Sequence, residues 1–444
     1  MAKDRMLLVG QGAREHAIAK ALKKSDIELF AFMKTKNPGI AQLSAEIKIA
    51  KLDDYDALFA FIKDVKPDIA VIGPENPLAD GIVDFLLEKG VSVIGPTRLA
   101  AKIESSKSFT RDLLTKYGIL GQPDYKIFAP DTIMVEISEY VAKLGKVAVK
   151  RDGLAGGKGV KLMGEHLQDV EEVLDFCQEV FAKGEAVVLE ELLEGEEFSL
   201  QCFVSGEDIF PTPIAQDHKR AYDGDKGPNT GGMGSYSAED HLLPFISAEI
   251  VEEAKDIIKQ TAKAIKQETG KDYCGILYGG FMLTSNGLKL LEYNARFGDP
   301  EAMNVLPLLE TPLVDIFKAM IKNELSKIDI KFTNQATVCK YLVPEGYPLS
   351  PKKEEPIEVN DKKIINEGAD LFYSSVNETK HGKIITTTSR AIAIVGIAEN
   401  LEKAEEIAEK ATSYVKGPLF HRKDVGTKEM IQRRIDHLKE LNVL

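Results

Sequence analysis

The first hundred residues alternate short apolar runs with amphipathic stretches, and that alternation limits the fold more than any other feature of the chain. RMLLVG (5–10), IELFAF (27–32), DIAVIG (68–73) and VSVIG (91–95) read as strands. EHAIAKALKK (15–24), DYDALFAFIKD (54–64) and PLADGIVDFLLEKG (77–90) read as helices between them. Strands that alternate with helical patterns predict βαβ units around a parallel sheet. A helix is expected over 105–117, with 118–124 as a connector.

Beyond residue 125 the texture changes. KVAVKRDGLAGGKGVKLM (146–163) and EAVVLEELLEGEEFSLQCFV (185–204) read as strands with Gly-rich turns, with a helix near 167–183 between them. Residues 207–242 show almost no periodicity and read as a long loop, which in a compact domain is usually functional or disordered. A helix follows at 247–268, then two strands joined at Ser285-Asn286-Gly287, a hairpin signal, and a helix at 312–324. PEGYPLSPKKEEPIEV (344–359) reads as surface, and AIAIVGIA with LEKAEEIAEKATSYV as a small α+β piece. The expected fold class is α/β and α+β multidomain. It comprises an N-terminal parallel α/β domain (1–104), a core domain (105–330) with a smaller mobile lobe at about 126–192, and a small C-terminal α+β domain (331–444).

The 57 Lys and Arg against 70 Asp and Glu give a formal charge of −13, which disfavours nucleic acid and anionic membranes as partners. It leaves room for a local basic pocket around a phosphorylated small molecule. Cys177, Cys202, Cys274 and Cys339 are far apart and form no CxxC pair, so neither a disulfide frame nor a zinc site is expected. No apolar run approaches a membrane span, and the expectation is a cytoplasmic protein.

Five stretches carry chemistry, and one of them, QDHKRAYDGDKGPNTGGMGSYS (216–237), gathers Asp217, Lys219, Arg220, Asn229 and Thr230 as a set suited to surround a small polar substrate. In VGQGAREHA (9–17) glycines lie between a strand and a helix, where backbone N–H groups can approach a phosphate. Glu15 stands where GxGxxG requires glycine, so a tight structural turn is an equal alternative. VKRDGLAGGKGV (149–160) places Gly153, Gly156, Gly157 and Gly159 around Lys158. It is not a phosphate loop of the Walker type, since no Ser or Thr follows Lys158, and its flanking strands favour a Gly-rich hairpin that could close over phosphates. VVLEELLEGEEFS (187–199) leads from a strand into an acidic run, either a solvated face or a hinge whose backbone meets a purine while a carboxylate takes ribose hydroxyls. In LEYNARFGDPE (291–301) strand alternation puts Glu292, Asn294 and Arg296 on one face and Leu291, Tyr293 and Ala295 on the other. A Glu and an Asn two apart can present two hard oxygens to Mg²⁺, and the arginine fork can grip a phosphate or carboxylate.

These motifs together resemble the glycinamide ribonucleotide synthetase family, the phosphoribosylamine–glycine ligases of purine biosynthesis within the ATP-grasp superfamily. GQGAREHA, IGPENPL, GPT with SKSFTRD, DGLAGGKGV, QDHKR, GPNTGGMG, LEYNARFGDPE and HRKDVG occur in the order found in that family and span nearly the whole length. The resemblance implies an ATP-dependent ligase that joins glycine to 5-phosphoribosylamine through a glycyl phosphate. It implies ATP and Mg²⁺ or Mn²⁺ as cofactors, and a monomer or weak homodimer. Lys107 and Lys150 would hold ATP phosphate and adenine, and the 153–159 loop (Gly153, Gly156, Gly157, Lys158, Gly159) would cover the phosphates. Glu190 and Glu191 would lie at the adenine hinge, and Glu197, or Glu196, on the ribose. Glu292 and Asn294 would hold the metal. Arg296 would face the transferring phosphate or the glycine carboxylate, with Lys219 and Asp217 beside it. Gly10, Gly12, Arg14, Glu15, Pro74 and Glu75 would help bind phosphoribosylamine, and Asn229, Thr230, Gly231, Gly232 and Met233 would line the centre.

The resemblance departs in two places. Gly156 stands where many members have Ala, and Gly280, twelve residues before Glu292, stands where the wider superfamily often has a metal-binding Glu. Another ATP-grasp ligase or carboxylase, an idle nucleotide-binding module and, on VGQGAREHA alone, a dehydrogenase are the alternatives. The chain ending at Leu444 suggests a single-activity organisation.

Overall fold

A computed structural model describes residues 3–156 and 159–444; Gly157 and Lys158 of the glycine loop lie outside the described residues. The N-terminal strands Asp4–Val9, Ile27–Met33, Glu46–Ile49, Ile69–Ile72 and Ser92–Ile94 form one parallel sheet in the order third, second, first, fourth, fifth. Met6–Val9 and Ile69–Ile72 are fully buried, as strands covered on both faces by helices must be. The order reverses between the first and fourth strands. Ligands of open parallel sheets bind at such a switch point, beyond the carboxyl ends of the strands, and there stand Gly10 and the Gly73-Pro74-Glu75 turn. The stretch 77–90 forms two helices instead of one: Gly81, with φ +93°, caps Glu75–Asp80 and starts Ile82–Glu88. Likewise 105–117 is broken at Ser106, whose hydroxyl caps Lys107–Lys116.

The centre is an antiparallel sheet of Asp208–Pro211, Gly195–Ser205, Cys274–Thr284 and Gly287–Asn294. Ser285 and Asn286 form its two-residue hairpin turn, as the sequence signal predicts. A second antiparallel sheet, Tyr125–Phe128, Val187–Glu191, Val147–Arg151 and Val160–Leu162, carries the helices Met134–Leu144 and Val170–Phe181 and has its own small core around Phe128, Val149, Val173 and Leu189. The glycine loop joins two neighbouring antiparallel strands of this lobe, so it is a hairpin and not the start of a helix.

The stretch 207–242 is not a structureless loop. It holds the short strands Asp208–Pro211, Gln216–Asp217, Arg220–Tyr222, Lys226–Asn229 and Gly234–Ser237. Segments of two to four residues are too short to show an alternating pattern, and one of them pairs with a strand remote in sequence. Gly234–Ser237 pairs with Ala336–Pro344, so this stretch shares a sheet with Ile392–Ala398 and Ala369–Tyr373 near the C-terminus. All four cysteines are free thiols. Among the described residues no helix is long and apolar enough to cross a membrane.

Candidate functional site

Beneath the junction of lobe and central sheet lies a buried charge cluster. Arg111, 2% exposed, donates two hydrogen bonds to Glu190 (2.7 and 3.0 Å) and others to the carbonyls of Leu290 and Leu291. Lys150 Nζ pairs with Glu190 at 2.7 Å and donates to Leu291 O at 3.0 Å. Burial would raise the Glu190 carboxyl, but Arg111 and Lys150 hold it below the usual carboxylate range. The Glu190 side chain therefore belongs to this cluster. Glu191 points away and accepts from Asp124 N at 3.0 Å. Lys150 uses two of its three donors here, leaving one for the cleft.

Above this cluster opens a cleft lined by Glu197, Ser199, Asp217, Lys219, Tyr278, Leu291 and Glu292. Gly280 is the cross-strand partner of Glu292, so the position twelve residues earlier stands beside it and here carries no side chain to offer. A β-bulge falls at the same place: Gly280 pairs with Glu292 but Phe281 with Leu290. The extra residue, Leu291, is thereby turned to the cleft, the side away from which simple alternation assigns it. Tyr293 and Ala295 do face the opposite, buried side. Lys219 Nζ lies 3.6 Å from Glu197 and 3.9 Å from Glu292. Glu197 first, and then, against the cost of burial, Glu292 and Asp217 raise the Lys219 ammonium above its ordinary value. Burial pushes Glu292 up, but Lys219, Lys150 and Lys107 outweigh it and keep that carboxylate ionised. Asp217 behaves oppositely: burial, with repulsion from Glu301, raises it well above the usual range.

The strand ends at Asn294, and Arg296 follows it on the cleft side. Its fork is engaged: Nη2 pairs with Glu104 and donates to Asn294 Oδ1, both at 2.9 Å, and Nε lies 3.6 Å from Glu75. Glu75 is also 3.7 Å from Arg14, and Arg14 Nε donates to Glu15 at 2.7 Å. A row of alternating charges, Glu104, Arg296, Glu75, Arg14 and Glu15, thus joins the end of the strand to the switch point of the N-terminal sheet. The Glu15 carboxylate folds back onto the N–H of Gly12. A side chain at Gly10, Gly12 or Gly73 would overlap it, so these glycines cradle a carboxylate. The first-turn amide that could receive a phosphate is taken by Glu15.

Across the cleft, Thr230 Oγ1 donates to Lys219 O at 2.8 Å and accepts from Gly232 N at 3.0 Å, closing the Asn229–Met233 turn, with Met233 buried. Arg390, from the C-terminal sheet, donates to the carbonyls of Gly231 (2.6 Å), Gly232 (2.9 Å) and Asp299 (3.1 Å). On the lobe side Asp152 caps the helix Lys107–Lys116, and Lys107 Nζ donates to Gly153 O at 3.0 Å. Gly153 and Gly156 have positive φ, which glycine adopts without strain. Arg220 pairs with Glu165 of the lobe and so faces away from the centre of the cleft.

Profiles of phosphoribosylglycinamide synthetase match the chain in three blocks: N domain at 4–104, ATP-grasp (A) domain at 105–302 and C domain at 337–428. A phosphoribosylamine–glycine ligase of Methanocaldococcus jannaschii is 52% identical over 443 residues, covering 98% of this chain and 99% of that relative. The chain belongs to the phosphoribosylglycinamide synthetase family. Another phosphoribosylamine–glycine ligase, from Methanosarcina barkeri, is 49% identical over 98% of this chain and 99% of the relative. A crystal structure of the Thermotoga maritima phosphoribosylamine–glycine ligase superposes with a TM-score of 0.78 at 28% identity, covering 95% of this chain and 99% of that one. The biotin carboxylase domain of the Hydrogenobacter thermophilus 2-oxoglutarate carboxylase shares the fold at 14% identity, with a TM-score of 0.74 and 99% of each chain covered.

Against this family membership, some of the cleft's supporting residues escape a sequence reading. Arg111 lies in SKSFTRD and Glu104 just before it, but nothing in that stretch marks them as the partners of Glu190 and Arg296. Arg390 comes from a region that reads only as a small α+β piece. The choice between Glu196 and Glu197 does carry a signal. They are adjacent on the strand Gly195–Ser205, so one must face the cleft and the other the back, and Phe198 and Leu200 mark the buried back face along with Glu196.

Proposed function

We propose that the cleft performs its family's reaction in two steps, through a glycyl phosphate. The chain is an ATP-dependent ligase of purine biosynthesis that joins glycine to 5-phosphoribosylamine, giving glycinamide ribonucleotide, ADP and phosphate. Glycine carboxylate is a poor acyl donor because oxide would have to leave. In the first step a carboxylate oxygen attacks the γ-phosphorus and ADP departs. In the second the ribosylamine nitrogen attacks the acyl carbon, phosphate departs and the nitrogen loses a proton. Alignment, charge neutralisation and exclusion of water are what the protein must supply.

The observation that carries this reading is the cleft-facing edge of Gly287–Asn294, where Glu292 is ionised beside Lys219 and the oxygen of Asn294 is oriented by Arg296. ATP would lie between lobe and central sheet, its base against the 191–195 main chain, its ribose on Glu197 and its phosphates near Lys107, Lys150 and the glycine loop. Glu292 and Asn294 would offer a hard divalent cation two oxygen donors, one charged and one neutral, on one face of the strand. That matches Mg²⁺ or Mn²⁺ held partly by substrate phosphates, which would neutralise charge on the transferring phosphoryl oxygens. Asp217 would accept the proton from the attacking nitrogen. Its Oδ1 is buried without a partner among the described residues.

The test is ADP release with ATP, Mg²⁺ and glycine, with and without freshly generated phosphoribosylamine. ADP formed only with both substrates, together with trapping of glycyl hydroxamate by hydroxylamine, is the expected result. ADP formed with a different carboxylate or amine, and not with this pair, would discard the substrate assignment.

A further inference from the structure

The profile of the family's C domain ends at residue 428, where the helix Lys428–Glu440 begins. This helix returns to the back of the central sheet. Met430 and Leu438 are fully buried beneath it, and Arg434 Nη2 reaches Asp225 at 2.5 Å. Its end meets Glu196, the strand neighbour of Glu197. Glu196 is 4% exposed, and a buried carboxylate is costly unless paired. It accepts from His437 Nδ1 at 2.7 Å and lies 3.4 Å from both Arg434 Nε and Gln216 Nε2. Gln216 in turn donates to Glu197 O at 3.0 Å, while its own oxygen accepts from Tyr236 at 2.6 Å. The links run without a gap from the helix, through Glu196 and Gln216, to the main chain of the residue on the cleft face.

We infer that the C-terminal helix is a positioning element for nucleotide binding: His437, acting through Glu196 and Gln216, sets the strand so that the Glu197 carboxylate meets the ribose hydroxyls of ATP. The inference rests on the reading of Glu197 as the ribose ligand. His437 touches no substrate. A carboxylate bridging two hydroxyls depends on its placement, and a shift of the strand under it weakens the grip without altering the phosphoryl-transfer groups. The effect therefore belongs in the KM for ATP.

The experiment uses the full chain with His437→Ala, His437→Asn, Glu196→Gln and Glu197→Ala. In His437→Ala the KM for ATP should rise about five- to tenfold with kcat within about twofold, the scale of a weakened charge-assisted hydrogen bond. The KM for glycine should not move. His437→Asn, whose amide nitrogen can occupy the place of Nδ1, should restore most of the ATP affinity, and Glu196→Gln should reproduce the selective loss if His437→Ala does not fold. Glu197→Ala should raise the KM for ATP at least as much. A wild-type KM for ATP in both His437→Ala and Glu196→Gln, beside a raised value in Glu197→Ala, overturns the inference and leaves the ribose reading standing. No change in Glu197→Ala overturns the ribose reading and the inference with it. Equal rises for ATP and glycine would mark general loosening and also refute the positioning role.

Discussion

Replacing Glu190 by Gln should damage the lobe and nucleotide binding together. The substitution keeps shape but removes the one carboxylate between Arg111 and Lys150, whose side chains are 2% and 9% exposed. Removing one partner of a buried ion pair costs about 3–5 kcal/mol, because the remaining charge is left without compensation. The pair Arg151–Glu185 is an internal control: it lies on the strand next to Glu190, its side chains are about one-third exposed, and Glu185→Gln should cost no more than about 1 kcal/mol. A chain of several domains does not unfold in one transition, so a single midpoint would misreport the effect. Native-state hydrogen exchange at the amides of Val147–Arg151 and Val187–Glu191 isolates it. With about 1.4 kcal/mol per factor of ten, protection there should fall about 100- to 4000-fold in Glu190→Gln and by less than about tenfold in Glu185→Gln. The KM for ATP should rise in the first variant and not in the second, because Leu290 and Leu291, whose carbonyls the cluster grips, precede Glu292. Equal loss of protection in the two variants would refute the assignment of the cluster as the anchor of the hinge.

Three further outcomes are expected. Glu292→Ala should abolish turnover while circular dichroism stays native, since it removes a half-exposed oxygen ligand and no core contact; wild-type rates at saturating Mg²⁺ would reject the role. Arg296→Lys should lower turnover at least tenfold, because one ammonium cannot serve Glu104, Asn294 and the Phe297 carbonyl from a planar fork, and near-normal turnover would reject it. His16 is buried against Phe372 and Tyr373, accepts from Tyr373 N at 2.9 Å, and is lowered to about 3 by burial and then by Lys20. The unfolded chain protonates this residue near pH 6.5, so its contribution is complete above that pH and is lost as the pH falls toward 3, at about 1.4 kcal/mol per unit. The loss of native-state hydrogen-exchange protection in Asp4–Val9 and Ile27–Met33 between pH 7 and 5, corrected for intrinsic exchange, should therefore shrink by about 2 kcal/mol in His16→Gln, and an unchanged pH dependence would contradict the burial argument.

Four of the five strands of the parallel sheet are legible because each is a local event, a short apolar run closed by Gly or a helix signal; the other, Glu46–Ile49, is an edge strand with two charged residues and carries no such run. Errors begin where the decisive contact is remote. Nothing within 216–237 announces that Gly234–Ser237 will pair with Ala336–Pro344, so two- and four-residue strands read as loop. The bulge at Leu291 is equally hidden, since strand alternation in LEYNAR continues as though it were absent, and only the mismatch with Phe281 across the hairpin reveals the added residue. The C-terminal helix is a different kind of omission. Met430, Ile431, Ile435 and Leu438 have helical spacing, and Thr427 is a good cap, so the signal is present in EMIQRRIDHL.

Charge balance in the site is the least local property of all. From the sequence Arg296 is a fork beside two metal ligands, and an anion receptor is the natural reading. In the fold it stands between Glu104 and Glu75, and the row from Glu104 to Glu15 contains three carboxylates against two guanidiniums. Burial raises the Glu104 carboxyl, and Arg296 pulls against it. Even so, the two form a contact of 2.9 Å, and an arginine so paired attracts a further anion weakly. The positive field that a triphosphate requires must then come from elsewhere in the cleft. Lys219, Lys107 and the remaining donor of Lys150 face the same carboxylate, Glu292, and together depress it. Those three ammonium groups around one ionised carboxylate are the positive field that an acidic chain would offer ATP under the proposed reading, while Arg296 holds Asn294 in line and leaves Glu75, the longest and most exposed link in the row, as the member an incoming anion would displace.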